Sequence, residues 1–133
     1  MRIAYFEPFS GASGDMTLGA LIDAGAPLDQ IVAQLEGLGL PGWKLTAAHA
    51  SQNGIAGTRA TVTADDDEHS RTWRVIRGMI EASTLTEPIK EMASAIFHNL
   101  AVAEAAIHDA TVDDVHFHEV GGIDAIIDIC GAA

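Results

Sequence analysis

Cysteine, aromatic residues and basic residues are all scarce in this chain of 133 residues. The single cysteine, Cys130, excludes an internal disulfide and any metal cluster built from several thiolates. Seven lysines and arginines stand against nineteen acidic residues, and the net charge of -12 disfavours DNA, RNA and anionic membranes as partners. Nothing in the sequence suggests a signal peptide, and it has no apolar run of the ~20 residues that cross a bilayer. We therefore expect a cytoplasmic protein.

The rest of the composition is that of a folded domain. Hydrophobic residues make up 48% of the chain and charged residues 20%, so we expect a single globular domain over residues 1–133. Three segments are predicted to be strands: Arg2–Phe9, Trp43–Ala50 and Ile55–Thr63. The dipeptide Asn53-Gly54 between the last two is typical of a two-residue hairpin turn. We expect these strands to form a small mixed sheet.

Apolar residues at helical spacing predict several helices around this sheet. The predicted helices are Asp15–Ala24, Leu28–Glu36, Arg71–Ala82, a long helix that is capped by Thr86 and ends near His108, and Ile123–Cys130. On the long helix, the buried side is expected to include Met92, Ala93, Leu100 and Ile107. The predicted fold class is α/β with an α+β tendency.

The string His116-Phe117-His118-Glu119 is the most informative one for function. Alternate residues of an extended segment point to the same side, so the two imidazoles share a face while Phe117 turns inward. Two imidazoles beside a carboxylate suit a divalent cation such as nickel or zinc. Asp124 and Asp128 share a face of the following helix and would add oxygen ligands or orient a histidine. The alternative is a pair of surface histidines beside an ordinary helix. The candidate metal residues are His116, His118, Glu119 and Asp124.

A glycine-containing turn over residues 10–15 joins the first predicted strand to the first helix. Backbone N–H groups at a helix N-terminus, together with the helix dipole, attract anions such as phosphate. No lysine follows the turn, so it is not a Walker A motif. The alternative is a tight turn in which Ser13 caps the helix. The candidate phosphate-binding residues are Ser10, Gly11, Ser13, Gly14 and Asp15.

Three arginines, Arg71, Arg74 and Arg77, follow one another at intervals of three residues. On a helix they form one ridge, which either meets a phosphate or pairs with the acidic run Asp65–His69 that precedes it. Arg71 and Arg74 are the phosphate candidates of this ridge. No Ser/His/Asp or Cys/His set at readable spacing indicates a covalent nucleophile.

Ordered motifs along the whole chain resemble the LarC family of nickel insertion proteins. The opening Tyr5–Met16, with Leu18–Leu21 behind it, is similar to the start of these proteins, and Val115–Asp124 is the most specific match. Further matches are Gly54–Thr58, the step His69-Ser70-Arg71 before a helix that ends Ile80-Glu81-Ala82-Ser83, and the helix from Ile96 to Ala105. The resemblance covers the N-terminal part of the family's usual length. The C-terminal region that the family associates with CTP is therefore expected to be absent from residues 1–133.

The resemblance implies a part in making the nickel-pincer cofactor of lactate racemase and related enzymes. LarC proteins are CTP-dependent cyclometallases, of the lyase class, that insert nickel into pyridinium-3,5-bisthiocarboxylic acid mononucleotide. For this chain the resemblance implies that His116, His118 and Glu119 handle Ni²⁺ with support from Asp124, and that the 10–15 turn and the arginines bind the mononucleotide phosphate. CTP and Mg²⁺ or Mn²⁺ are implied for the C-terminal domain, the expected partner. Self-association is left open.

The chain departs from the family pattern in ways that limit these expectations. Glu7-Pro8 stands where the family usually has Asp-Cys, which removes a thiolate ligand, and the histidine-rich tract is reduced to Asp65–His69. The leading hypothesis is the metal-handling domain of an enzyme that is inactive without its C-terminal partner. A second hypothesis is a non-catalytic nickel-binding or scaffold module that docks a partner. A third is a purely structural domain that binds no metal.

Overall fold

The chain combines helices with a long antiparallel hairpin and a second, two-residue strand pair. A computed structural model describes residues 3–65 and 70–133. Within these ranges the helices are α1 (Gly14–Asp23), α2 (Leu28–Leu35), α3 (Trp73–Ala82), α4 (Glu87–His108) and α5 (Ile123–Ala132). The strands are β1 (Trp43–Gln52), β2 (Ile55–Ala64), β3 (Arg71–Thr72) and β4 (His116–Phe117). Short 3-10 turns cover Glu36–Leu38 and Val112–Asp114. This mixture of helices and small sheets confirms the predicted fold class.

The hairpin forms as the sequence predicts. β1 and β2 are antiparallel neighbours from the Trp43–Ala64 pair to the Gln52–Ile55 pair. Asn53 and Gly54 adopt positive φ angles of 53° and 80°, which a two-residue turn of this type requires and which asparagine and glycine tolerate best. The two strands extend one or two residues beyond their predicted ends, and β3 pairs with β4 in a separate antiparallel sheet.

The strand predicted over Arg2–Phe9 is wrong for the described part of that segment. Residues 3–8 have no regular structure, and the side chains of Ile3, Tyr5 and Phe9 are 77%, 80% and 90% exposed. A strand is stable only when its backbone groups find a partner edge. Within residues 3–65 and 70–133, β1 and β2 pair only with each other. The expected three-stranded mixed sheet is therefore replaced by two antiparallel pairs.

The core forms around the long helix α4. Its buried residues Ala93, Phe97 and Ala101 recur every four positions and face the other elements. Trp73 of α3 stacks on Phe97 with 6.3 Å between ring centroids, and Phe117 of β4 packs against the same ring at 5.9 Å. Within the described residues, no helix combines the length and the apolar character that crossing a membrane would need.

Helix α1 lies close against both β2 and α5. A Cβ at Gly19 would lie 2.5 Å from the Thr58 carbonyl oxygen of β2, so only glycine permits this approach of the two backbones. The Thr58 hydroxyl also donates to Asp23 Oδ1 at 2.6 Å. These contacts fix the hairpin relative to α1 and shape the space between them.

Candidate functional site

The histidine string lies at the surface and is anchored by one buried ring. Phe117 is fully buried against Phe97, with 5.9 Å between the ring centroids. His116 and His118, on either side of it, are exposed. The prediction that Phe117 turns inward is confirmed, and its burial presents both imidazoles to solvent.

A third histidine, from the last turn of α4, lies beside His118. The rings of His108 and His118 are 5.9 Å apart between centroids and meet edge to face. Glu104, one turn earlier, places its Oε2 atom 3.2 Å from His108 Nε2. A carboxylate behind an imidazole commonly orients a metal-binding histidine. Sequence reasoning placed His108 only at the end of the long helix. It missed this contact because tertiary packing, and not spacing along the chain, brings His118 next to α4.

His116 lies next to the residue that precedes β3. Ser70 Oγ is 3.4 Å from His116 Nδ1, which ties this imidazole to the segment after the acidic run. Asp65, at the start of that run, donates its backbone N–H to the Gly42 carbonyl at 2.8 Å. The rest of the run, residues 66–69, lies outside the described residues.

The four metal candidates are not gathered into one ready-made centre. Among residues 3–65 and 70–133, no group of three or more His, Cys, Asp or Glu side chains is arranged to hold a metal ion. Cys130 is buried, and its burial raises the pKa of the thiol to about 12. Cys130 therefore does not supply a thiolate ligand. The histidine string offers exposed donors, and the ligand role of His116, His118, Glu119 and Asp124 stays a prediction.

Asp124 lies in an acidic pocket between α1, β2 and α5. The pocket has a volume of about 330 Å³, and its charged lining residues are Asp15, Arg59, Asp124 and Asp128. Asp128 Oδ1 is buried and accepts no hydrogen bond from the described residues. Burial, followed by the charges of Asp15 and Asp124, raises the pKa of Asp128 to about 6. Sequence reasoning placed Asp124 and Asp128 on one helix face but missed Asp15 and Arg59, which only tertiary packing brings to them.

The turn over residues 10–15 is exposed and ends where α1 begins. Ser13 occupies the N-cap position, but its hydroxyl donates to the Asp15 carboxylate and makes no hydrogen bond to a backbone N–H of the helix. The alternative in which the Ser13 side chain caps the helix is therefore not formed. Gly14 begins the helix, one residue before the predicted start. The phosphate role of the turn stays a prediction.

Arg74 and Arg77 of α3 and Arg71 of β3 connect these elements to the segments around β4. The prediction that all three arginines share one helix is wrong for Arg71, because α3 begins at Trp73. The contacts are Arg74 with Asp114 at 2.7 Å, Arg77 with Asp113 at 3.0 Å, and Arg71 Nη1 with the Gly121 carbonyl at 2.8 Å. These contacts pair Arg74 and Arg77 with acidic residues that follow α4, and Arg77 Nε also lies 3.9 Å from Glu81 Oε1 within α3. The predicted pairing with the acidic run Asp65–His69 falls mostly on residues 66–69, which lie outside the described residues. A phosphate role for Arg71 and Arg74 remains a prediction.

The chain matches the family model for nickel insertion proteins over residues 4–133. The chain belongs to the nickel insertion protein family. Among its relatives in that family is a nickel insertion protein of Thermomicrobium roseum, 45% identical over 132 residues that cover 98% of this chain and 32% of the relative. One from Syntrophobacter fumaroxidans is 47% identical over 133 residues, which cover 100% of this chain and 34% of the relative. The resemblance to the LarC family is thus confirmed.

A third family member states its substrate in its name. The pyridinium-3,5-bisthiocarboxylic acid mononucleotide nickel insertion protein of Akkermansia muciniphila is 45% identical over 142 residues, which cover 100% of this chain and 35% of the relative. The chain therefore spans about one third of the length of these nickel insertion proteins. No solved structure matches the chain.

Proposed function

We propose that this chain is the metal- and substrate-handling domain of an enzyme that inserts nickel into pyridinium-3,5-bisthiocarboxylic acid mononucleotide. Family membership over residues 4–133 supports the nickel part of this proposal, and the name of the Akkermansia muciniphila relative supports the choice of substrate. Because the chain spans about one third of its relatives, the complete reaction is assigned to the longer protein. Nickel is here a substrate that the domain receives and passes on.

The observation that carries the proposal is the exposure of His116 and His118 on either side of the buried Phe117. Imidazole nitrogen suits nickel among the divalent metals, and an exposed donor can exchange its ion, as a closed structural site does not. His108 and its partner Glu104 lie beside His118 and add a donor from α4. Glu119 follows the second histidine, and Asp124 lies in the first turn of the next helix. We assign nickel handling to His116, His118 and Glu119, with Asp124 as support.

The remaining parts of the reaction are assigned to the region that the relatives carry beyond this chain. We propose that CTP and Mg²⁺ or Mn²⁺ bind there, and that the combined protein is a CTP-dependent cyclometallase of the lyase class that matures lactate racemase and related enzymes. The turn over residues 10–15, Arg71 and Arg74 stay candidates for contact with the phosphate of the substrate. We place the reaction in the cytoplasm and leave self-association to measurement.

The decisive test is a calorimetric nickel titration of the metal-free chain and of the His116→Ala/His118→Ala variant. We expect a Kd in the micromolar range or tighter (roughly -8 kcal/mol) and a loss of site-specific binding in the variant. His49→Ala is the matched control, because His49 is an exposed histidine on the hairpin that the proposal does not use. Equal binding by all three proteins would contradict the proposed site.

A second measurement separates an enzyme domain from a scaffold. The chain is combined with a separately produced C-terminal domain of a relative, CTP, nickel and the pincer precursor, and the nickel-containing product is followed by mass spectrometry. Product formation that needs both polypeptides and fails with the double histidine variant supports the enzyme. Nickel binding without any effect of the histidine variant on product formation would leave this domain a scaffold.

A further inference from the structure

A cavity lies between the turn end of the hairpin and the start of α1. It has a volume of about 630 Å³, which falls within the range of small-molecule sites. Its polar side chains are Asp15, Gln52, Asn53, Thr58 and Arg59. Its apolar lining residues include Met16 and Ile55.

Among the described residues, the Arg59 side chain makes no ion pair or hydrogen bond. In the described residues, the side chains of Arg71, Arg74, Arg77 and Lys90 are engaged in ion pairs or hydrogen bonds. Arg59 and Lys44, by contrast, have no such partner within residues 3–65 and 70–133. A guanidinium group without a partner retains its full capacity to bind a phosphate or carboxylate through two parallel hydrogen bonds. Of these two cations, Arg59 is the one that lines the large cavity.

The position of Arg59 is fixed by its neighbours. It follows Thr58, whose hydroxyl donates to Asp23 of α1 at 2.6 Å and whose carbonyl lies against Gly19. Ala60, the next residue, is buried in the core. The strand that carries Arg59 is therefore held against α1, and a binding group on a rigid element loses less freedom when it meets its ligand.

The cavity adjoins the acidic pocket, with which it shares Asp15, Arg59 and Ala60. The carboxyl groups of Asp124 and Asp128 lie in that second pocket. A ligand with only negative charges would be repelled by these groups, since like charges in a partly buried setting interact strongly. A ligand that carries both an anionic phosphate and a cationic ring matches the charges on both sides of Arg59.

We propose that the cavity between the hairpin and α1 binds the pyridinium mononucleotide, with its phosphate on Arg59 and its cationic ring towards the acidic pocket. The inference rests on the proposed function for the class of ligand, and it assigns to Arg59 the phosphate contact that sequence reasoning sought in Arg71 and Arg74. It also explains how a domain of net charge -12 accepts an anionic substrate. The bound ring then lies beside three carboxyl groups of α1 and α5.

The test uses nicotinic acid mononucleotide, a pyridinium mononucleotide, as the probe for calorimetric titration of the chain. We expect the probe to bind the unchanged chain and to bind Arg59→Ala about tenfold more weakly, which is the loss typical of one charge-assisted hydrogen bond. Arg59→Lys should restore part of this affinity. Lys44→Ala is the matched control, because it removes the other unpaired cation from the same hairpin. Uridine monophosphate, which has a neutral base, should bind more weakly than the probe.

Equal affinity of Arg59→Ala and the unchanged chain for the probe would overturn the inference, and so would an equal loss in Lys44→Ala. Circular dichroism of each variant shows whether a loss of affinity is caused by unfolding. The nickel titration of the histidine variant is independent of this result. Probe binding through Arg59 without nickel binding at the histidines would contradict the proposed metal function and support the nucleotide site. Nickel binding at the histidines without probe binding through Arg59 would support the metal function and contradict the nucleotide site.

Discussion

Gly14, the first residue of α1, lies against Asp128 of α5 with no room for a side chain. A Cβ at residue 14 would lie 2.8 Å from the Asp128 Cβ, well inside the separation at which two carbon atoms attract each other. The contact brings the start of α1 and the Asp128 carboxyl to one acidic pocket. A glycine that sequence reasoning assigned to phosphate binding therefore has a packing role, whatever ligand the turn accepts.

Replacement of Gly14 by alanine should destabilise the chain. The added methyl group collides with the stem of Asp128 and forces α1 away from α5, at a cost of about 1–3 kcal/mol. Urea denaturation followed by circular dichroism measures the change. Gly78→Ala is the control, because nothing lies within 4 Å of a Cβ built at that position of α3 and alanine favours a helix. A Gly14→Ala variant as stable as the Gly78→Ala variant would contradict the close contact.

The Asp128 carboxyl should make stability fall as the pH rises. Its pKa is raised from 3.8 to about 6, so below pH 3.8 it is protonated in both the folded and the unfolded chain. Between these two values the folded chain holds a proton that the unfolded chain has lost, and the contribution of Asp128 to stability declines until the pH exceeds about 6. Above that pH the charged group opposes folding to a constant extent.

The variant Asp128→Asn should therefore be more stable than the unchanged chain at neutral pH and equal to it in acid. We expect a gain of about 1 kcal/mol at neutral pH, less than the full value of the pKa shift because the side chain is partly exposed to water. Urea unfolding at neutral pH and in acid measures this gain in stability. Glu91→Gln, at an exposed position of α4, is the control. If the difference in unfolding free energy between Asp128→Asn and the unchanged chain is the same in acid and at neutral pH, Asp128 ionises as a normal carboxyl.

Removal of the Phe117 ring should affect the fold and the histidine string together. The ring is fully buried against Phe97, so Phe117→Ala should cost about 3–5 kcal/mol. Phe9→Ala is the control, since Phe9 is 90% exposed and its loss should leave stability unchanged. Thermal unfolding measures both variants. A small loss for Phe117→Ala would mean that β4 is held by its strand pairing and not by its ring.

Local patterns predicted the parts of the fold that depend on neighbouring residues. Asn53-Gly54 defines its turn through its own backbone preference, and the hairpin follows. The segment over residues 3–8 has the apolar composition of a strand, yet a strand depends on a partner edge that sequence does not show. On α4, Ala93 is buried as expected, whereas Met92 and Ile107 are 54% and 75% exposed, because the contact face is set by α3, α5 and the turn before β4.

In the candidate site, too, features that depend on neighbouring residues were predictable, and features that depend on tertiary packing were not. The alternation that turns Phe117 inward is a property of the local backbone, and it was predictable. Arg74 was expected to be available to a phosphate, but its partner Asp114 lies forty residues further along the chain. Arg59 and His108 drew no functional prediction, because the residues that give each its environment come from other elements. Charges and imidazoles acquire their partners through tertiary packing, which spacing within one segment does not report.

His108 should contribute to nickel affinity together with His118. Its ring already lies 5.9 Å from that of His118, and Glu104 holds its Nε2 atom, which leaves Nδ1 for the metal ion. We expect His108→Ala to weaken nickel binding about tenfold and Glu104→Gln to weaken it in the same direction. His98→Ala, at another exposed histidine of α4, is the control for the loss of an imidazole. If the two rings share one ion, the losses in His108→Ala and His118→Ala will not add in the double variant. Fully additive losses would show that each ring binds nickel separately and would contradict a shared site.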